Sequence, residues 1–178
     1  YSYGKSAFVR LSNGETKEFP EERTVEGIAF APKGMRIAAA RYNGVSLHWV
    51  GTNAKPVDLE WKGAHTGVTF SPDGNFLVTS MQENALHGWK LDVKSGTEAR
   101  HMRMTGYPAK VKSLSWSAKG KWLASSGAPA GGATRAWPIT AAKRPVVGSK
   151  RKSDLASGAC TPSMSIMNDS APTLSARR

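Results

Sequence analysis

The chain has 178 residues, a single cysteine, Cys160, and a formal net charge of +12. One cysteine excludes an intrachain disulfide and fits a reducing compartment such as the cytoplasm. The sequence has no run of 18 apolar residues, so we expect no transmembrane helix and no membrane partner. The basic charge is compatible with binding to nucleic acid or to acidic surfaces.

Residues 5–20 contain the first two predicted strands. Apolar side chains recur from Ala7 to Leu11, Asn13-Gly14 is a hairpin turn signal, and Phe19 ends the second strand. By comparison with later parts of the chain, we interpret this hairpin as the third and fourth strands of a repeat unit. Val9 then lies near the position that a Trp holds in later units.

Three further units follow, and residues 63–91 show the pattern most clearly. The first strand ends at Phe70, and the turn sequence Ser71-Pro72-Asp73-Gly74 follows, in which Pro fixes φ and Gly accepts a positive φ. Two more extended runs, the second ending at Trp89, complete an antiparallel meander. The predicted strands of the three units are 25–31, 35–41, 45–50 and 56–60; 67–71, 76–80, 85–91 and 98–104; and 111–117, 122–126 and 133–137.

The spacing between these units is regular. The first two match each other at 40 residues, and the last follows at 46 to 48 residues. A period of about 40 to 45 residues with four short strands per unit is typical of a propeller blade. The sequence therefore predicts an all-β fold, a partial β-propeller of four-stranded antiparallel blades, with about three blades and half of an earlier one. We assign structural roles to the repeat positions, which are Phe30, Gly34, Trp49, His65, Phe70, Pro72, Asp73, Gly74, Trp89, Trp116, Gly120 and Trp137.

The segment Gly63-Ala64-His65, the FSPDG sequence at 70–74 and the closing Trp of each unit resemble the WD-repeat β-propeller family. The resemblance covers roughly residues 5–137. The name-giving Trp-Asp dipeptide is absent, because Trp49, Trp89 and Trp137 are followed by Val, Lys and Pro. The family's turn Asp is absent as well. We therefore expect the buried His-Ser/Thr-Trp-Asp network of that family to be incomplete and the blades to be held mainly by apolar packing.

The repeat pattern is lost near residue 128. Residues 138–178 carry seven Lys and Arg against Asp154 and Asp169, a net charge of +5, with too few apolar residues for a core. We expect residues 1–137 to form the partial propeller, and 138–178 to be a disordered basic tail or a non-native segment produced by a reading-frame shift. Seven blades would need about 280 residues, so we also expect the chain to be a fragment of a longer protein.

Residues that could support catalysis or metal binding show no suitable spacing. A metal site needs three or four converging ligands, so no metal and no cofactor are expected. The serines lack a nucleophile-elbow motif, and we assign no catalytic residue. A cage built from Trp61, Trp116 and Trp122 for a sugar or a methylated amine is the alternative to core packing. The sequence contains four histidines, His48, His65, His87 and His101, and none of them shows ligand spacing.

The resemblance implies a non-catalytic scaffold that displays loops for protein–protein interaction. Two alternatives stay open: a basic propeller that binds nucleic acid or an acidic surface, and a propeller enzyme whose active site lies in blades outside this sequence. Nucleic-acid binding is less favoured, because Lys and Arg are spread over loops without a binding motif. The sequence does not identify the protein partner. The predicted top-face loops are 20–25, 42–44, 61–66, 82–84 and 105–110.

Overall fold

The computed structural model describes residues 1–91, 98–127, 135–138 and 164–167. These residues form thirteen strands in three sheets, with antiparallel pairing throughout, and the all-β prediction is confirmed. In this described part of the chain, no helix is long and apolar enough to cross a membrane. The strands are β1 Ser2–Tyr3, β2 Ser6–Arg10, β3 Thr16–Pro20, β4 Gly27–Phe30, β5 Arg36–Trp49, β6 Val57–Phe70, β7 Phe76–Met81, β8 Ala85–Leu91, β9 Glu98–Met104, β10 Leu114–Trp116, β11 Trp122–Ser125, β12 Arg135–Pro138 and β13 Met164–Met167.

Four blades can be recognised in this order of strands. The first blade is β1–β3, whose hairpin turns at Gly14 as predicted. The second blade contains β4, both arms of β5 and residues 57–60 of β6. The third contains residues 65–70 of β6 followed by β7, β8 and β9. The fourth contains β10, β11 and β12.

Each of the two long strands, β5 and β6, provides two neighbouring strand positions of the propeller. β5 reverses at Asn43 and Gly44, where φ is 67° and 140°, and its two arms form a hairpin. Gly44 is required there, because an added Cβ would lie 2.2 Å from the carbonyl oxygen of Leu59. β6 is the outer strand of the second blade and then the inner strand of the third. The prediction of a loop at 61–66 is therefore wrong, because this segment continues the strand and bends at Gly63, where φ is 125°.

Apolar cores fill the gaps between consecutive blades. Ile37 and Ala39 of β5 face the first blade, whereas Ala38 and Ala40 face the third, because successive side chains of a strand point to opposite sides. The core residues are Ala7, Val9, Phe19, Val25, Ile37, Ala39 and Val50 in the first gap; Ala38, Ala40, Val45, Leu47, Leu59, Phe70, Leu77, Trp89 and Leu91 in the second; and Val78, Leu86, Met104, Tyr107, Val111 and Leu123 in the third.

The second and third blades differ in the length of one hairpin. The amide of Val50 donates to the carbonyl of Met35 at 2.7 Å, whereas the equivalent amide of Leu91 donates to Asn75 at 2.8 Å. The hairpin of the second blade is therefore one residue shorter. As a result His48, not Trp49, occupies the strand position of Trp89. The 40-residue sequence match between the two tryptophans does not survive as a structural match.

The predicted Ser-Pro-Asp-Gly turn forms and contacts its neighbours. Gly74 has φ 77°, and its amide donates to the carbonyl of Ser71 at 2.9 Å. A Cβ added at Gly74 would lie 3.6 Å from Pro32 of the preceding blade, and one at Gly120 would lie 3.4 Å from Pro72. The proline of each turn thus packs on the glycine of the next, and this contact helps to set the spacing of the blades.

Strand β13 lies inside the segment that we expected to be a disordered tail. It pairs with the outer strand β9, with Met164 opposite Met104 and Met167 opposite His101. An outer strand has an edge of unpaired backbone groups that can accept a further strand, which explains a pairing that composition did not predict. The rest of residues 139–178 lies outside the described residues, where the disordered tail and the frame shift stay predictions.

Candidate interaction site between the first two blades

A cleft of about 940 Å³ lies where the first two blades meet. It is lined by residues 20–23, 41–43, 46, 56, 58 and 60–62. Three segments that the sequence analysis assigned to the top face, 20–25, 42–44 and 61–66, contribute to this lining. The structure therefore brings together residues that lie up to 42 positions apart in the chain.

An ion-pair network forms the floor of this cleft. Arg41 donates through Nε to Glu21 Oε2 at 3.1 Å and through Nη2 to Asp58 Oδ1 at 2.5 Å. The Ser46 hydroxyl lies 2.9 Å from the same two carboxylate oxygens. His48 Nε2 lies 2.6 Å from Glu21 Oε1. Both oxygens of Glu21 are thus engaged, and its side chain is only 6% exposed.

Asp58 differs from Glu21 in its exposure to solvent and in the contacts of its two carboxylate oxygens. Its side chain is 47% exposed. All of its described contacts go to Oδ1, so Oδ2 has no hydrogen-bond partner among the residues that the structure describes. This oxygen is the group in the network that a ligand can reach most easily.

The strands explain why these side chains meet. Ser46 and His48 are two residues apart on β5 and therefore point to the same side of the sheet. Asp58 of β6 lies directly opposite Ser46. Arg41 ends the other arm of the β5 hairpin, and Glu21 follows the last residue of β3. The sequence signal for this site was the presence of polar residues at positions most of which hold apolar or aromatic residues in the next blade.

Equivalent positions at the gap between the second and third blades carry a different set of side chains. Val50 corresponds to Leu91 and Met35 to Asn75, so each arm of the hairpin is matched by counting from its own end, and cross-strand partners follow. Glu21 and Trp61 correspond because each is the first residue after an outer strand segment, β3 in the first blade and residues 57–60 in the second. The equivalent pairs are Glu21 and Trp61, Arg41 and Met81, Ser46 and His87, His48 and Trp89, and Asp58 and Arg103. The second gap therefore contains one charged residue at these five positions, whereas the first contains three.

The second gap is closed by an aromatic cluster. The Trp61 ring stacks on His87 with centroids 4.0 Å apart, and Trp89 meets His87 edge-on at 4.5 Å. His87 Nε2 lies 3.0 Å from His101 Nδ1. Burial, followed by the nearby His101, lowers the pKa of His87 to about 2. The cluster is therefore neutral at His87 near pH 7.

His65 makes the hydrogen bonds expected of a structural residue. Its Nδ1 lies 2.8 Å from the hydroxyl of Thr79, and its Nε2 lies 3.0 Å from the carbonyl of Trp61. A neutral ring satisfies both contacts if Nε2–H donates to the carbonyl and Nδ1 accepts from Thr79. Burial lowers the pKa of His65, which favours this form. The indole N–H of Trp89 has no hydrogen-bond partner among the described residues, so the network does not extend to it.

The remaining predicted positions lie in varied surroundings. Phe30 is 59% exposed, Phe70 is 7% exposed, and Trp49 and Trp116 are half-buried. The side chain of Trp137 lies outside the described residues. The three tryptophans of the hypothetical cage do not come together: Trp61 packs in the second gap, Trp116 packs in the third, and Trp122 is half-exposed.

Metal ligands do not converge in the part of the chain with described side chains, where no three His, Cys, Asp or Glu residues could hold an ion. The expectation that the protein binds no metal stays a prediction for the whole chain.

Comparisons with known proteins agree with this architecture. The family model described as "WD domain, G-beta repeat" matches residues 100–132, from the outer strand of the third blade into the fourth. A chain in the solved structure titled "Crystal Structure of Mitotic Checkpoint Complex" matches with a TM-score of 0.63 and 17% identity. The match covers 77% of this chain and 42% of that chain, so this chain spans less than half of its length. The search of curated proteins found no match.

Proposed function

We propose that this WD-repeat propeller chain acts as a non-catalytic scaffold, and that the cleft between its first two blades is a contact site for a partner protein. The repeat match and the propeller fold confirm the predicted family and support a general role in protein interaction. The observation that supports the choice of site is the meeting of three separate chain segments around one polar cleft.

Rigid display is the proposed mechanism. The apolar cores on both sides of the second blade fix β5 and β6, which carry most of the cleft. A partner then meets side chains whose positions are set before binding, so less conformational entropy is lost on association.

The arrangement of the floor favours binding over catalysis. Glu21 and His48 form a carboxylate–imidazole pair, which in an enzyme can act on a neighbouring nucleophile. The Ser46 hydroxyl contacts Arg41 and the two carboxylates, and it has no hydrogen bond to the His48 ring. No hydroxyl–imidazole pair of nucleophile and base therefore forms among these described residues.

Site-specific photo-crosslinking tests this proposal. A photoreactive residue at position 42, where Tyr42 is 49% exposed at the cleft, is compared with one at position 3, where Tyr3 is 82% exposed on β1. We expect a discrete crosslinked protein from position 42 only. The same product should disappear when Glu22→Lys is added at the rim. Equal products from both positions, or a product insensitive to Glu22→Lys, would contradict the proposal.

A further inference from the structure

We infer that the cleft between the first two blades receives a lysine or arginine side chain of the partner protein. This inference rests on the proposed function and names the chemistry that the contact would recognise.

The fold itself does not require a charged network at this place. Of the five equivalent positions one blade later, four hold aromatic or apolar side chains that close the gap, and only Arg103 is charged. Buried ion pairs carry a desolvation cost that often equals or exceeds their attraction, and apolar replacements of similar volume are frequently as stable. An open gap with three charged residues, beside a gap that has one charged residue and is closed by aromatic packing, therefore points to recognition of a ligand.

The charge of the cleft selects a cation. Its lining contains four carboxylates, those of Glu21, Glu22, Asp58 and Glu60, against three cationic side chains, a net charge of −1. The whole chain carries +12. The cleft is therefore a local acidic site on a basic molecule, and a neighbouring acidic surface on a partner would be drawn to the surrounding positive charge.

The accessible groups of the cleft match a basic side chain. Arg41 at the floor is 15% exposed, whereas Asp58 is 47% exposed and has Oδ2 available. Tyr42, which is 49% exposed, and the partly buried Trp61, whose ring stacks on His87, line the same cleft. A cation bound between a carboxylate and aromatic rings gains both an ion pair and cation–π attraction, and arginine adds planar stacking.

Peptide titration of the whole chain tests the inference. The probes are the acetylated, amidated peptides Gly-Ser-X-Ser-Gly, with X as arginine, lysine, neutral citrulline or glutamate, and binding is followed by chemical-shift changes in the labelled chain. We expect the arginine and lysine peptides to bind, the citrulline peptide to bind about tenfold more weakly, and the glutamate peptide not to bind. The shifts should fall on residues of the cleft.

Two matched pairs of variants locate the binding. Asp58→Asn should weaken the arginine peptide about tenfold, whereas Glu15→Gln, which removes a carboxylate from the exposed turn after β2, should leave it unchanged. Tyr42→Ala should weaken it and Tyr3→Ala should not; both side chains are exposed, so folding is retained in each.

Equal binding of citrulline and arginine, equal effects within each pair, or no binding of either basic peptide would overturn the inference. Loss of peptide binding with continued crosslinking from position 42 would overturn this inference alone and leave the proposed function standing.

Discussion

The gap between the first and second blades and the gap between the second and third use the same strand positions in opposite ways. In the first gap, Arg41 joins Glu21 and Asp58, and the surface stays open as a cleft. In the second gap, Trp61, His87 and Trp89 pack ring against ring, and Trp89 is fully buried. The strand pairing is the same in both blades but the β5 hairpin is one residue shorter, so the difference reflects the side chains at the equivalent positions together with this change in hairpin length.

The difference between the two gaps indicates which of them contributes to the stability of the fold and which to binding. Aromatic burial contributes free energy by removing large apolar areas from water, at about 25 cal/mol per Å². A charged network contributes less, because its desolvation offsets its attraction, but it leaves polar groups facing solvent. We therefore expect the second gap to dominate the free energy of unfolding and the first to dominate binding.

The largest expected effect comes from the centre of the second gap. Trp89→Ala removes a fully buried side chain from the core that joins the second and third blades. It should lower the free energy of unfolding by about 3 to 5 kcal/mol, because both transfer energy and filled volume are lost. Denaturant unfolding of the whole chain measures this change. An unchanged midpoint would show that this gap is not the main source of stability.

The contribution of the charged gap to stability can be measured with a substitution that introduces the residue found at the equivalent position of the second gap. Arg41→Met introduces the residue type that the equivalent position, Met81, carries. The change leaves Glu21 buried without its cation. The expected loss is about 2 kcal/mol, between the values for buried and exposed pairs. Adding Glu21→Gln should restore part of it, as measured by thermal unfolding. If the double variant is no more stable than Arg41→Met, the loss does not come from the unpaired carboxylate.

Acidification should weaken the aromatic gap. The folded pKa of His87 is about 2, below the ordinary value of 6.5, so the unfolded chain binds the extra proton as pH falls. Stability from this group is fully present above pH 6.5 and is lost below it, by about 2 kcal/mol between pH 6.5 and 5. His65, whose pKa is also lowered, acts in the same direction.

Urea unfolding at pH 7 and pH 5 measures this loss. His87→Phe keeps a ring against Trp61 and removes the titrating group, so its stability should depend less on pH. Equal pH dependence of the two proteins would contradict the assignment to His87.

The smallest expected effect tests the register of the two blades. Trp49 is half-buried, with the Arg36 guanidinium 4.9 Å from its ring, and it occupies the strand position of Lys90. Trp49→Ala should therefore cost only about 1 kcal/mol, close to the value of a surface cation–π contact with some packing. The same denaturant experiment applies. A loss as large as that of Trp89→Ala would restore the equivalence that the sequence suggested.

The sequence by itself determined the class of fold and the places where the chain turns. Alternating apolar residues, turn sequences such as Ser71-Pro72-Asp73-Gly74 and a 40-residue spacing depend on local physics, because strand period and turn dihedral angles are set within a few residues. The hairpin at Asn13-Gly14 and the antiparallel meander of the third blade were predictable for this reason.

Only the tertiary structure decided the candidate site and the true equivalence of the blades. One residue fewer in the hairpin of β5 moves His48, in place of Trp49, into the position of Trp89, and a repeat alignment does not register such a shift. Glu21, Arg41 and Asp58 come from three different strands or connections and are separated by 20 and 17 positions in the sequence. Their meeting depends on how two blades pack, and packing between blades is a non-local property that the sequence pattern does not encode in any single segment.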